Sequence, residues 1–336
     1  MQPLHDRALS RREWLVRSVA AGATLALTPA LLRAMQQPGP KLMQRVIPSS
    51  GEKLPVVGLQ FRNSRTQDPA ALKEVLKTLL DNDATFLDTM HQSMPGVEDL
   101  MARVVTELGV QNKLFLGLRA NPPGPQQTDP AVLRTQIQSL LTKFKVPKLD
   151  LVQLGSNAHP SMFAALQEAK RSGQVRYIAA TTIVDERHAE LETLMRNEPL
   201  DFIGVRYAID HRSAENLLTV AQERKIAVVA YFPFGVGSLF ERAGNQPLPD
   251  WAADFDAKTW AQFFIKFVLG HPAVTVVRAG TIQPKHMLDN IGGGIGRLPD
   301  EATRKRMADL IDSWPPAKGP AKAPTKAPPK APTPKP

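Results

Sequence analysis

The chain has 336 residues, enough for one barrel-sized domain or two ordinary ones, and its 43% hydrophobic content is ample for a full core. The formal net charge of +10 points to a nucleic-acid partner only until its location is read: residues 1–34 carry five Arg against Asp6 and Glu13, and residues 315–336 carry five Lys and no acid. The folded part is therefore near neutral, which excludes a nucleic-acid groove, and the absence of Cys excludes disulfides, thiolate catalysis, iron–sulfur clusters and Cys-ligated zinc.

Ser10-Arg-Arg-Glu-Trp-Leu15 opens the chain with an arginine pair, and residues 18–32 follow as a mildly apolar, Ala-rich stretch containing Pro29. That layout is a signal peptide's, and the run is too short and weakly apolar to read as a membrane span. It resembles the twin-arginine export signal, with Trp14 at the usual Phe. The resemblance implies cleavage after Ala30 or Ala34, the export machinery as a partner, and delivery of a folded protein to the periplasm or cell envelope. A surface amphipathic helix is the alternative. At the other end, residues 315–336 are built from Pro, Ala, Lys and Thr with one Gly, and such a composition predicts an extended, solvated tail.

Between the ends, residues 42–60 read as a short hairpin turned at Ser49-Ser-Gly-Glu-Lys53. Strand-like apolar runs follow at 56–61, 85–90, 113–119, 149–154, 176–183, 201–209, 227–232 and 275–280, each short enough for a strand buried on both faces. Amphipathic helical stretches separate them, for example 70–80, 97–108, 131–144, 162–171 and 214–224. Eight strands alternating with helices predict a closed (β/α)8 TIM barrel over residues 42–314. Residues 240–258 read as an irregular loop after the seventh barrel strand, and residues 301–314 as an additional helix with Met307, Leu310 and Ile311 on one face.

In a parallel barrel the carboxyl ends of the strands carry the chemistry, which singles out Asp88 at the end of Thr85-Phe-Leu-Asp88. An Asp there is equally a cap or turn former. His91, three residues on, could donate a proton near neutral pH or do nothing of the kind. His159 is a weaker candidate, and no His-x-His or His-x-x-x-His spacing supports a metal site.

Taken in order, the hairpin with Gly51-Glu-Lys-Leu-Pro-Val-Val-Gly-Leu59, Phe86-Leu-Asp-Thr89, Asp150-Leu-Val-Gln-Leu154, Gly173-Gln-Val-Arg-Tyr-Ile178, Val229-Ala-Tyr-Phe-Pro-Phe-Gly-Val-Gly237 and Gly280-Thr-Ile-Gln-Pro-Lys-His-Met-Leu-Asp-Asn290 resemble the aldo/keto reductase family. The resemblance implies hydride transfer between NADP(H) and a small carbonyl substrate. In that family a tyrosine supplies the proton, and a lysine paired with an aspartate makes the tyrosine acidic. Carried over by position, the aspartate is Asp88, the tyrosine is Ser93, the lysine is Arg119 and the histidine is Gly155. Three of the four are replaced. A serine hydroxyl is a weak acid on a short side chain, and a guanidinium does not give up its proton.

The cofactor contacts implied by the same resemblance are Tyr231 for nicotinamide stacking, Thr181 and Thr182 in place of a Ser-Asn pair, and Gly280, Thr281, Asp289 and Asn290 around the adenosine phosphate. Gly204 replaces a glutamine that holds the carboxamide. Phe232 adds bulk near the pyrophosphate, and His286 stands where arginine is common. Tyr231 has the alternative role of a packed aromatic, and Asp88 with Arg119 that of a plain buried ion pair. Two functions follow: an exported NADP(H)-dependent oxidoreductase with a degenerate tetrad, or a pseudoenzyme that uses the barrel for binding or scaffolding.

Overall fold

A computed structural model describes residues 41–61, 68–89, 96–120 and 128–316. An antiparallel hairpin comes first, β1 (Gln44–Val46) and β2 (Lys53–Pro55), with Gln44 opposite Pro55. The barrel strands are β3 (Val57–Phe61), β4 (Phe86–Thr89), β5 (Phe115–Arg119), β6 (Leu149–Gly155), β7 (Val175–Thr182), β8 (Phe202–Arg206), β9 (Ala227–Tyr231) and β10 (Val274–Gly280). They close in the order β10-β3-β4-β5-β6-β7-β8-β9, all parallel. The expected (β/α)8 barrel is therefore the fold.

The helices are α1 (Pro69–Asp81), α2 (Val97–Glu107), α3 (Pro130–Phe144), α4 (Pro160–Arg171), α5 (His188–Asn197), α6 (Glu215–Arg224), α7 (Ser238–Ala243), α8 (Trp260–Leu269), α9 (Pro284–Gly292) and α10 (Glu301–Asp312). Four of them begin with proline in the first turn, where the missing N–H is no loss. Asp68, Asp129 and Asp300 cap α1, α3 and α10 through Ala70 N, Ala131 N and Thr303 N at 2.9, 2.9 and 2.8 Å, each worth about 1 kcal/mol. Residues 240–258 are more ordered than an irregular loop. They carry the end of α7 and a 3-10 run, Asp250–Phe255, because Trp251 and Phe255 pack on Phe263 with ring centroids 5.7 Å away in both cases.

Two apolar layers result. The outer one lies between strands and helices, and α8 is buried on every face within it. Its lysine, Lys266, survives there because Nζ donates to the carbonyls of Ile295 and Arg297 at 2.6 and 2.9 Å; burial still lowers its pKa to about 8. The inner layer fills the amino-terminal half of the lumen with Phe86, Phe115, Leu151, Tyr177 and Phe202, and Ile47 and Leu54 of the hairpin pack on it. Arg176 fastens the hairpin by bridging Glu52 and Asp150. With that end filled by apolar side chains, the polar chemistry stands at the carboxyl ends of the strands.

Candidate functional site

Strand side chains alternate between faces, so residues two and four positions beyond the inner apolar layer also face the lumen. Above Phe86 this places Asp88, completely buried. Its direct ion pair is with Arg278, and Arg119 acts on it through its charge. Arg278 Nη1 of β10 donates to Asp88 Oδ2, and Gln153 Nε2 of β6 donates to Oδ1 at 2.6 Å. Arg278 is itself 2% exposed. Complete burial pushes the Asp88 carboxyl above the ordinary carboxylate range, and the charges of Arg278 and Arg119 oppose that push.

The network continues into Tyr231. Its phenol donates to Gln153 Oε1, its ring lies beneath the Arg278 guanidinium at 3.8 Å from the centroid, and Arg119 stands 5.9 Å from the same centroid. Burial, followed by the Asp88 charge, raises the Tyr231 pKa, with Arg119 and Arg278 opposing. The phenol stays protonated and is fully buried. It is held as a donor inside the protein, with one ring face already covered by a cation.

Of the two glycines that stand for lost tetrad or cofactor residues, Gly204 has a structural reason here. A Cβ on Gly204 would lie 2.1 Å from the Tyr231 hydroxyl, so β8 must be bare for the phenol to enter the lumen. A Cβ on Gly155 would meet Asn157 Oδ1 at 2.8 Å. Gly117 does the same service for the ion pair, since its Cβ would lie 2.9 Å from Asp88 Oδ1.

The remaining expected residues are placed as follows. Arg119, half-buried at the end of β5, donates to Thr181 Oγ1 at 2.7 Å, and Thr181 donates on to the Leu154 carbonyl at 3.2 Å. Thr182 closes a local turn with Val184. Phe232 follows Tyr231 with φ +57°, left-handed backbone that a bulky side chain seldom takes, and Val236 repeats it at +60°. At the far side, Gly280 is exposed and Thr281 Oγ1 accepts from Gln283 N at 3.1 Å ahead of α9. Asp289 Oδ1 accepts from Thr259 Oγ1 at 2.8 Å and Gln262 Nε2 at 2.9 Å, tying α9 to the start of α8, and Asn290 is buried. His159 is a helix cap, its Nδ1 accepting from Ser161 N at 3.3 Å. His91 and Ser93 lie outside the described residues, as do the arginine-pair segment and residues 317–336.

Arg278, Gln153 and Arg206 were not singled out from the sequence. The signal was present: each is a polar residue at an inward position of an apolar strand run, as in Val274-Thr-Val-Val-Arg-Ala-Gly280. A nicotinamide cofactor fits this site in part. The adenosine-side positions, Gly280 and Thr281, stand at the open end of β10, whereas the Tyr231 ring is buried beneath Arg278 and is no exposed stacking platform.

Residues 57–305 match the model of the aldo/keto reductase family. No curated protein matches the chain. Among solved structures, the holo form of an aldo-keto reductase from Bacillus halodurans is similar at 17% identity and TM-score 0.66, covering 80% of this chain and 96% of that one. An aldo-keto reductase from Klebsiella pneumoniae in complex with NADPH is similar at 18% identity and TM-score 0.65, covering 81% and 95%.

Proposed function

The chain belongs to the aldo/keto reductase family, and from that premise we propose an exported barrel that keeps weak NADP(H) binding but whose carbonyl-reducing relay is dismantled. The observation that carries the reading is the commitment of Asp88 to Arg278 and Gln153 in the closed interior. The family's relay needs a carboxylate that supports a cation, which in turn acidifies an accessible phenol. Here the carboxylate is engaged from β10, the position of the phenol is Ser93, and the one phenol nearby, Tyr231, is buried with a raised pKa. General acid catalysis of this kind is commonly worth about 10² to 10⁴ in rate. NADP(H) would be held from Gly280 and Thr281 ahead of α9, where Asp289 is engaged by Thr259 and Gln262 and Asn290 is buried, with the nicotinamide end poorly supported. Each missing buried hydrogen bond costs about 0.5 to 1.5 kcal/mol, so affinity falls one to two decades below that of an intact site.

The active-oxidoreductase reading retains one observation in its favour: Arg119 keeps a cation at the lumen end of β5, within reach of Thr181. Titration of the purified protein with NADPH and NADH by fluorescence, followed by an aldehyde-reduction assay, separates the two. Weak NADPH binding without turnover is expected. Steady aldehyde reduction by the unaltered protein overturns the dismantled relay, and no fluorescence change at millimolar dinucleotide removes the cofactor from the proposal. Export supports itself on the arginine pair and apolar run of residues 10–32.

A further inference from the structure

Arg206 ends β8 four residues beyond Phe202, on the same inward row as Gly204, and in the ladder it is the register neighbour of Tyr231. Neighbours in a parallel ladder point to the same face, so Arg206 faces the lumen with Tyr231. Arg119 and Arg278 flank the same tyrosine ring. Two guanidiniums therefore flank Tyr231 at the ligand-binding end of the barrel, and a third arginine stands at the same ladder level on β8; the fully buried carboxylate beside them, Asp88, is already paired with Arg278.

Among the described residues no carboxylate lies within 4.0 Å of the Arg206 nitrogens, although the side chain is half-buried and its Nε is buried with no hydrogen-bond partner. Arg278, almost wholly buried, likewise has an Nε with no partner. Inward-facing buried donors without acceptors, in a mouth with surplus positive charge, are what an oxyanion satisfies, and the planar fork of arginine matches carboxylate and phosphate oxygens. We propose that the barrel mouth is an oxyanion-recognition site that takes a small carboxylate- or phosphate-bearing molecule, with Arg206 as its principal anchor.

The assignment rests on the mouth being the ligand end, as in the reading above, and gives that mouth a ligand class. The same chemistry could come from a substrate carboxylate or from the diphosphate of a dinucleotide. Calorimetric titration of the full chain without cofactor, at fixed ionic strength, uses 2-oxobutyrate, inorganic pyrophosphate and uncharged butanone. At least one of the two anions binds at millimolar concentration or below, and butanone does not. Binding of 2-oxobutyrate identifies a substrate carboxylate as the source, and binding of pyrophosphate identifies the dinucleotide. Arg206→Gln weakens the anion by about tenfold or more, the scale of one charge-assisted hydrogen bond. Arg206→Lys recovers part of it, because the charge remains and the fork is lost. Both variants should melt with the parent, since among the described residues Arg206 makes no ion pair that folding would miss. Silence with both anions, or undiminished binding by Arg206→Gln, overturns the assignment. The NADPH titration can fail without affecting any of these measurements.

Discussion

The ion pair between Asp88 and Arg278 is the residue-scale feature with the largest energetic consequence. Both groups are out of water, so their desolvation is offset chiefly by each other, with Gln153 and the Arg119 charge contributing at Asp88. Arg278→Met should leave an uncompensated buried carboxylate and cost about 3 to 5 kcal/mol in urea unfolding. Adding Asp88→Leu should recover most of that loss, because an apolar pair of similar volume needs no partner. A double variant no more stable than Arg278→Met alone would show that the pair is not what holds the two side chains inside. A second test at this scale concerns the relay. Ser93→Tyr with Gly155→His restores the two lost residue types, but a histidine at 155 must displace Asn157, and Asp88 remains bound to Arg278. We therefore expect aldehyde reduction to stay below about one hundredth of an intact relay. Turnover near ordinary enzyme rates in that variant would mean that Asp88 is free to serve.

The elements were legible because each barrel strand is a short apolar run and each helix has one apolar face, and those periods follow from burial alone. Which charged residue would meet Asp88 was not legible. Arg119 lies on the neighbouring strand β5 and Arg278 on β10, and only the closure of the sheet puts β10 two strands from β4, across β3, where Gly58 is level with Arg278 and Gln60 with Asp88. The glycines at 155 and 204 read in the sequence as replacements of a histidine and a glutamine; in the folded lumen Gly204 is the space into which Tyr231 extends. Another pairing invisible in sequence is at the start of β10. His271 stacks edge-on to Tyr207 at 5.9 Å, and its Nδ1 accepts from Ala273 N at 3.2 Å. Burial, then the charges of Arg304 and Arg45, depress its pKa from 6.5 to about 4. As pH falls from 6.5 the unfolded chain takes up this proton and the folded one does not, so stability declines between pH 6.5 and 4 and this contribution is spent below that. His271→Asn keeps an acceptor for Ala273 N without the titration. Its urea midpoint should fall less steeply over that window, and parallel acid limbs in the two proteins would remove His271 from the account.

At the scale of the whole molecule, the family match spans residues 57–305 and the eight barrel strands all lie between Val57 and Gly280. Residues 317–336 contain Ala, Pro, Lys, Thr and one Gly, a composition with almost no apolar area to bury. Their removal should leave the melting temperature within experimental scatter, and a drop of several degrees would mean that they dock on the barrel. The amino-terminal residues 1–34 carry a different expectation. Arg11 and Arg12 precede a stretch whose hydrophobicity is diluted by Ala, Gly, Ser and Thr. Such a weak apolar run is a poor stop-transfer or membrane-anchoring segment, so its use as an address depends on the arginine pair being read as such. Replacing both by lysine conserves the charge and the amphipathic character while removing the paired guanidiniums. A surface helix would tolerate that exchange with no effect on location, whereas a twin-arginine signal would not. Expressed with a carboxyl-terminal tag and fractionated, the parent should reach the periplasm or envelope. The Arg11→Lys, Arg12→Lys variant should remain in the cytoplasm at its full length. Equal export of the two proteins would leave the segment as an ordinary amphipathic extension and would withdraw the envelope from the proposed function, without touching the barrel or its arginine-lined mouth.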